Sequence, residues 1–148
     1  MKILIVNGPN LNMLGRREPQ IYGTRTFESV FTELQERFPE DELCYVQSNG
    51  EEGVIDALHA ALIGTETERA DAVVLNAGAL THYSYAVADA VLAIRPMPVV
   101  EVHISNPAAR EEFRRKSVLA PVCMGSISGF GTESYALAIR GLIDKFAQ

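Results

Sequence analysis

Short apolar runs rich in β-branched residues alternate with longer amphipathic segments along this chain. The runs lie at residues 2–6, 42–48, 72–75, 98–103 and 122–125. Between them, apolar side chains recur at helical spacing, as Phe27, Val30, Phe31 and Leu34 do. Strands that alternate with helices predict right-handed βαβ crossovers, and therefore a parallel sheet with helices on both faces. We expect a three-layer α/β/α sandwich.

Capping and breaking residues predict where the helices begin and end. The first helix should begin near Thr26 and stop before Pro39, and the second should close at Gly64. A third helix is expected from about Ser84, and Asn106-Pro107 has the N-cap and first-turn residues of a further helix after the fourth strand. The apolar face of the final helix is predicted to consist of Tyr135, Ala138, Ile139, Leu142 and Phe146.

Composition limits the class of protein. The chain has 148 residues, of which 47% are apolar, so residues 1–148 fit one domain with its own core. The net charge of -6 and the absence of a basic run disfavour nucleic acid or an anionic membrane as a partner. We find neither a signal-like segment nor an apolar stretch of about 18 residues that could span a membrane. We therefore expect a cytoplasmic protein.

Polar residues follow the predicted strands at their carboxyl ends, where open parallel sheets bind ligands. The first strand leads into a long loop, and loops of such length are often functional. The candidate binding residues at this edge are Asn7, Asn10, Asn12, Asn76, Thr81, His82, Glu101, His103 and Ser105.

Several common chemistries lack their usual motifs. The sequence has no GxGxxG after the first strand, no GxxxxGK[ST], no HExxH and no GxSxG. Cys44 and Cys123 are isolated, and none of the three lysines follows a strand, where a Schiff-base amine would be expected. We expect no metal, nucleotide or other cofactor. The remaining polar set suits proton transfer on a polyhydroxylated anion.

Two histidines are candidate site residues. In Glu101-Val102-His103, strand alternation directs both polar side chains to one face, so the carboxylate can orient the imidazole. The alternative is a buried pair that serves packing. His82 could belong to the site or merely cap the next helix, and its spacing does not separate these two interpretations. His59 lies within a predicted helix and is interpreted as structural.

Tyr22 in the long first loop is a candidate base if its phenol can ionise. A phenol has an ordinary pKa of about 10, which makes it a poor base at neutral pH. A guanidinium beside it, such as that of Arg17, would favour the phenolate. The alternative is that Arg16, Arg17 and Glu18 form a solvated charge cluster.

The long first loop carries a specific resemblance. Residues 7–23, with the sequence NGPNLNMLGRREPQIYG, resemble the signature of the type II 3-dehydroquinate dehydratases. NAGALTH at 76–82, EVHISN at 101–106 and REEFR at 110–114 match in order and spacing, so the resemblance covers essentially the whole chain. It implies a flavodoxin-like fold with a five-stranded parallel sheet of order 2-1-3-4-5. It also implies a dodecamer built from four trimers.

The resemblance further implies a reaction and a role for each matching residue. The enzyme would dehydrate 3-dehydroquinate to 3-dehydroshikimate through an enolate, in aromatic amino acid biosynthesis or in quinate breakdown. Tyr22 would be the base and Arg17 its partner, Asn12 would hold a water at the enolate oxygen, and His103 with Glu101 would be the acid. The residues that match substrate-binding positions are Asn76, His82, Asp89, Ile104, Ser105 and Arg114, with Asp89 reaching into a neighbouring subunit.

Two other classes of protein share this predicted architecture. A flavodoxin-like electron carrier would hold FMN after the first strand, but its phosphate loop is normally rich in Ser, Thr and Gly. A receiver module would need an acidic cluster for Mg²⁺ at the same edge. Here the first strand ends in Asn7-Gly8.

Overall fold

The computed structural model describes residues 1–16, Gln20 and residues 24–146. Strands and helices alternate as the hydrophobic pattern predicts. In chain order they are β1 (Lys2–Asn7), α1 (Phe27–Arg37), β2 (Glu42–Gln47), α2 (Glu51–Ile63), β3 (Ala72–Asn76), α3 (Tyr85–Ala93), β4 (Val99–His103), β5 (Gly125–Ser128) and α4 (Glu133–Phe146).

The five strands form one parallel sheet in the order β2-β1-β3-β4-β5. The flavodoxin-like order implied by the resemblance is therefore confirmed. All the carboxyl ends lie at one edge, and Asn7 pairs in register with Asn76 there. The polar residues that follow β1, β3 and β4 consequently meet.

Each face of the sheet carries its own apolar core. On one face, Ile5 and Val74 pack with α1 and α4, where Phe27 and Leu142 are fully buried. On the other face, Val6 and Leu75 pack with α2 and α3. Because both faces are covered, the strands can be almost continuously apolar, as parallel strands usually are.

Two predicted caps are confirmed. The Thr26 hydroxyl accepts a hydrogen bond from the Ser29 amide at the start of α1, and the Ser84 hydroxyl accepts one from the Val87 amide at the start of α3. Each satisfies a backbone donor that has no partner within the helix. Gly64 closes α2, as predicted.

The predicted position of the last strand is wrong. We expected residues 122–125, whereas β5 is Gly125–Ser128. The amides of Val122 and Cys123 both donate to the Leu119 carbonyl at 3.0 Å, so these two residues form a turn. Their side chains still pack against the apolar core, which explains why their apolar pattern resembled a strand.

The helix expected after β4 is also absent from the described residues. Asn106 does cap a turn, since its Oδ1 accepts from the Ala108 amide at 3.1 Å, but this 3-10 turn ends at Ala109. A second 3-10 turn covers Glu112–Arg114. The charged segment at 110–116 offers no apolar stripe that could pack on the sheet, so a longer helix has little to stabilise it.

The final helix buries one residue fewer than predicted. Leu142 is fully buried, whereas Phe146 in the last turn is 46% exposed. Phe146 lies beyond the main cores beside a shallow groove, and the Lys145 ammonium is 6.0 Å from its ring centre. None of the helices in the described parts of the chain is long and apolar enough to cross a membrane.

Two glycines allow the loops after β1 and β3 to touch. A Cβ on Gly8 would lie 2.5 Å from the Ala77 carbonyl oxygen, and the Gly8 amide donates to the Asn76 carbonyl at 2.7 Å. Gly78 has a φ of +59° and approaches Pro9. Side chains at either position would separate the loops, so these glycines set the shape of the sheet edge.

Candidate active site

A cleft of about 250 Å³ opens at the carboxyl edge of the sheet. Its walls come from the loops that follow β1, β3 and β4. The lining residues are Pro9, Asn10, Leu11, Leu14, Asn76, Gly78, Ala79, His82, His103, Ile104, Ser105, Pro107, Arg110 and Arg114. The cleft therefore combines one apolar wall with amide, imidazole and guanidinium groups.

An acid–imidazole pair lies at the end of β4. His103 Nε2 is 2.8 Å from Glu101 Oε1, so strand alternation directs both side chains to one face, as predicted. The Glu101 side chain is 1% exposed and that of His103 is 12% exposed. The carboxylate is thus hidden beneath the imidazole, and the imidazole borders the cleft.

Three hydroxyl groups from other segments also donate to Glu101. Thr81 Oγ1 and Ser117 Oγ donate to Oε1, the latter at 2.7 Å, and Ser126 Oγ donates to Oε2 at 3.3 Å. Burial favours the neutral acid, but the hydrogen bonds from His103, Thr81 and Ser117 outweigh it and hold the pKa of Glu101 below its ordinary value. Glu101 is therefore ionised at neutral pH.

An ionised Glu101 fixes the hydrogen bonding of His103. A carboxylate only accepts hydrogen bonds, so His103 Nε2 must carry the proton. The other ring nitrogen, Nδ1, is left as the atom that can exchange a proton with a ligand. The nearby carboxylate also stabilises the imidazolium form, as a general acid requires.

His82 is oriented by a backbone carbonyl. Its Nδ1 lies 2.7 Å from the Lys116 carbonyl oxygen, so Nδ1 carries the proton and Nε2 can accept a hydrogen bond when the ring is neutral. The ring contacts Phe113 edge-on, with 6.4 Å between centroids. Ser84, and not His82, caps α3, and His82 lines the cleft.

Asn76 is held by a buried phenol. Its Nδ2 donates to Tyr135 Oη at 2.8 Å, and Tyr135 Oη donates to Asn7 Oδ1 at 2.8 Å. Asn76 Oδ1 accepts from the Gly78 amide at 3.2 Å. Burial raises the pKa of Tyr135, so the phenol remains a donor. The Asn76 amide is thereby fixed at the cleft with one N–H still available.

Two arginine side chains line the cleft. Arg114 Nε donates to Glu111 Oε2 at 2.6 Å, and its guanidinium lies 4.8 Å from the Phe113 ring centre. Arg110 also lines the cleft, as do Ile104 and Ser105. A negatively charged ligand in the cleft would therefore meet positive charge.

The cleft brings together most of the residues selected from the sequence. His103, Asn76, His82 and Arg114 line it together with Ile104 and Ser105, and Glu101 lies directly beneath. Asn12 and Asp89 are exposed, and neither is among the described residues that line the cleft. Arg17 and Tyr22 lie outside the described residues.

Sequence reasoning missed several residues that support the site. Ser117 carries no local signal, and the apolar pattern of the final helix predicts the burial of Tyr135 but not its hydrogen bonds. The partners of these two side chains are 16 and 59 residues away in the chain. Ser126 could have been found if β5 had been located correctly, since it pairs in register with Glu101. Within the described ranges, no cluster of three or more His, Cys, Asp or Glu residues could hold a metal ion.

Comparison with known proteins agrees with this arrangement. The family model for dehydroquinase class II matches residues 1–143. A 3-dehydroquinate dehydratase from Exiguobacterium sp. is 54% identical over 147 residues, which cover 99% of this chain and 97% of that protein. One from Bacillus licheniformis is 56% identical, with 93% of this chain and 92% of that protein covered.

Solved structures give the same relationship. The crystal structure of type II dehydroquinase from Butyrivibrio crossotus superposes with a TM-score of 0.88 at 46% identity, covering 96% of this chain and 97% of that one. The type II dehydroquinase from Propionibacterium acnes superposes with a TM-score of 0.88 at 42% identity, covering 97% of this chain and 96% of that one. The fold, the sequence and the full-length coverage agree, and the chain belongs to the class II dehydroquinase family.

Proposed function

We propose that this protein dehydrates 3-dehydroquinate to 3-dehydroshikimate, with residues 1–148 acting as a single catalytic domain. The observation that carries the proposal is the Glu101–His103 pair at the floor of a cleft that also holds Asn76, His82 and Arg114. Relatives more than 50% identical over nearly their full length are named for this activity. The family match disfavours the alternative of an FMN-binding electron carrier.

The first step is removal of a proton from C2 of the substrate, beside the ketone. Tyr22 takes this proton as a phenolate, and Arg17 maintains the phenolate by its positive charge. The electron pair left on carbon moves to the ketone oxygen and gives an enolate. Asn12 holds a water that donates a hydrogen bond to this oxygen, where charge develops in the transition state.

The second step expels the C1 hydroxyl group. Protonated His103 gives its Nδ1 proton to this oxygen, which leaves as water while the enolate collapses to a conjugated enone. Glu101 favours the imidazolium before transfer, since its carboxylate accepts from Nε2 at 2.8 Å. The proton removed from C2 and the proton donated at C1 balance, so the reaction needs neither an oxidant nor a cofactor.

Polar groups along the cleft bind the rest of the substrate. The backbone amides of Ile104 and Ser105 receive the carboxylate, and Arg114 supplies positive charge on the same side. Asn76 and His82 hold the ring hydroxyls, with Asn76 donating through its available N–H and His82 accepting through Nε2. The fixed orientation of both side chains supports this assignment.

The protein acts as a homododecamer, a tetramer of trimers, in the cytoplasm. Asp89 lies on the exposed face of α3, away from its own cleft, which is compatible with a role in a neighbouring subunit's site. Exposed Tyr85 and Leu92 on the same helix offer apolar area for such a contact. The reaction belongs to aromatic amino acid biosynthesis or to quinate breakdown.

Replacing His103 by alanine should lower kcat by roughly 10²- to 10⁴-fold, the usual contribution of a general acid. The substrate dissociation constant should change much less, because the acid acts mainly in the transition state. Turnover is followed by the ultraviolet absorbance of the enone product. His59→Ala is a matched control, since His59 is exposed on α2 and should leave turnover unchanged. Normal kcat with only a raised KM would assign His103 to binding.

Replacing Tyr22 by phenylalanine should abolish most turnover while the fold stays intact, because only the ionisable oxygen is lost. The measurement is kcat together with calorimetric binding of the substrate. Tyr83→Phe, at an exposed tyrosine outside the described cleft lining and outside the proposed contact on α3, serves as the control. Arg17→Ala should also be severe, with partial recovery at high pH as the phenol approaches its ordinary pKa of about 10. Arg16→Ala is the control and should not show this recovery. Near-normal turnover in Tyr22→Phe would mean that another group is the base.

Light scattering should give a particle of about twelve times the 16.2 kDa chain mass, as expected for closed symmetric assembly. Asp89→Ala should lower activity in the assembled protein if the residue completes a neighbour's site. Asp56→Ala, an exposed aspartate on α2, is the matched control. A stable monomer with full activity would contradict both the assembly and the role of Asp89.

A further inference from the structure

A three-residue segment, Lys116–Val118, contacts His82 directly and is linked to His103 through Glu101. The Lys116 carbonyl accepts from His82 Nδ1 at 2.7 Å. The Ser117 hydroxyl donates to Glu101 Oε1 at 2.7 Å, and the Val118 amide donates to the Thr81 carbonyl at 2.8 Å. The segment is therefore tied to the end of β4 and to the loop after β3 at once.

The hydrogen bonds around Ser117 indicate which group receives its hydroxyl proton. Its oxygen accepts from the Leu119 amide at 3.1 Å and from the Ala120 amide at 2.9 Å. Thr81 Oγ1, at 3.1 Å, donates its own proton to Glu101. A hydroxyl has a single proton, and the charged Glu101 Oε1 at 2.7 Å is a closer and stronger acceptor for it than Thr81 Oγ1 at 3.1 Å. The two amides hold the serine in this orientation from a turn outside the cleft.

We propose that Ser117 is a positioning residue for the acid pair, which fixes the Glu101 carboxylate under His103 while its segment orients His82. This inference rests on the proposed function, because the effect of the acid pair is measured as the rate of dehydration. Ser117 is not among the described residues that line the cleft, and it donates to Glu101, so its effect passes through that carboxylate. Without Ser117 the carboxylate would have one hydrogen-bond donor fewer to hold it beneath the imidazole.

The test compares Ser117→Ala with Ser84→Ala. Each substitution removes a hydroxyl that accepts a hydrogen bond from at least one backbone amide. The Ser84 hydroxyl, however, donates to Glu51 at 3.1 Å and not to Glu101. Ser117→Ala should lower kcat roughly tenfold, as loss of one hydrogen bond to a charged group would do, with little change in KM. Ser84→Ala should lower thermal stability and leave kcat in place.

Two further variants keep the test decisive. Ser117→Thr retains the hydroxyl and should recover most of the wild-type kcat. Ser117→Cys keeps nearly the same size with a weaker donor, and should lower kcat with little change in KM, which tests the inference if the alanine variant fails to fold. A wild-type kcat in folded Ser117→Ala or Ser117→Cys, or a loss of kcat in Ser117→Thr equal to that in Ser117→Ala, would overturn the inference. Absence of turnover by the wild type would instead refute the proposed function.

Discussion

The buried charge of Glu101 is the constraint on which the rest of the site depends. A carboxylate at 1% exposure is strongly disfavoured unless donors replace the lost water. Here the donors come from four separate parts of the chain: His103 on β4 itself, Thr81 after β3, Ser117 before β5 and Ser126 on β5. These segments must all be in place for the charge to be tolerated. Correct folding of this corner therefore also sets the orientation and charge preference of His103.

The cleft residue Asn76 is held in place by uncharged groups. Tyr135 of α4 links Asn7 at the end of β1 to Asn76 at the end of β3, and both bonds are 2.8 Å. The phenol lies on the opposite face of the sheet from Glu101, so the two networks approach the cleft from different layers. Each layer of the sandwich thus fixes one group of polar side chains. The reaction we propose needs both, because one orients the acid and the other orients the substrate.

Much of the fold could be predicted from the sequence because its determinants are local. The β-branched runs, Thr26 and Ser84 as caps, and Gly64 as a stop all act within a few residues. The position of β5 could not be predicted, since Val122 and Cys123 lie in a turn and are partly buried against the core. An apolar pattern indicates contact with the core and does not indicate the backbone geometry. The helix expected at Asn106-Pro107 fails because a good cap cannot stabilise a helix with no apolar face behind it.

The residues of the site likewise differ in whether a local sequence pattern predicts them. Glu101 and His103 are two residues apart, so strand alternation alone predicts that they share a face. The roles of Tyr22, Arg17, Asn12 and Asp89 came from the resemblance to the family and remain proposals. The hydrogen bonds of Ser117 and Tyr135 have no sequence signal, because a bond between residues far apart in the chain depends on the folded topology. A sheet edge collects such residues from distant positions, and only the three-dimensional structure identifies them.

The most direct test of this account is the turnover of 3-dehydroquinate by the wild type and by Glu101→Gln. Glutamine keeps the size and the ability to accept hydrogen bonds, but it removes the negative charge that favours the His103 imidazolium. We predict that kcat falls at least about a hundredfold, the lower range for loss of an effective general acid, while calorimetry shows substrate binding within a few-fold of wild type. If Glu101→Gln turns over at a rate close to wild type, the buried charge does not control the acid and the account is wrong.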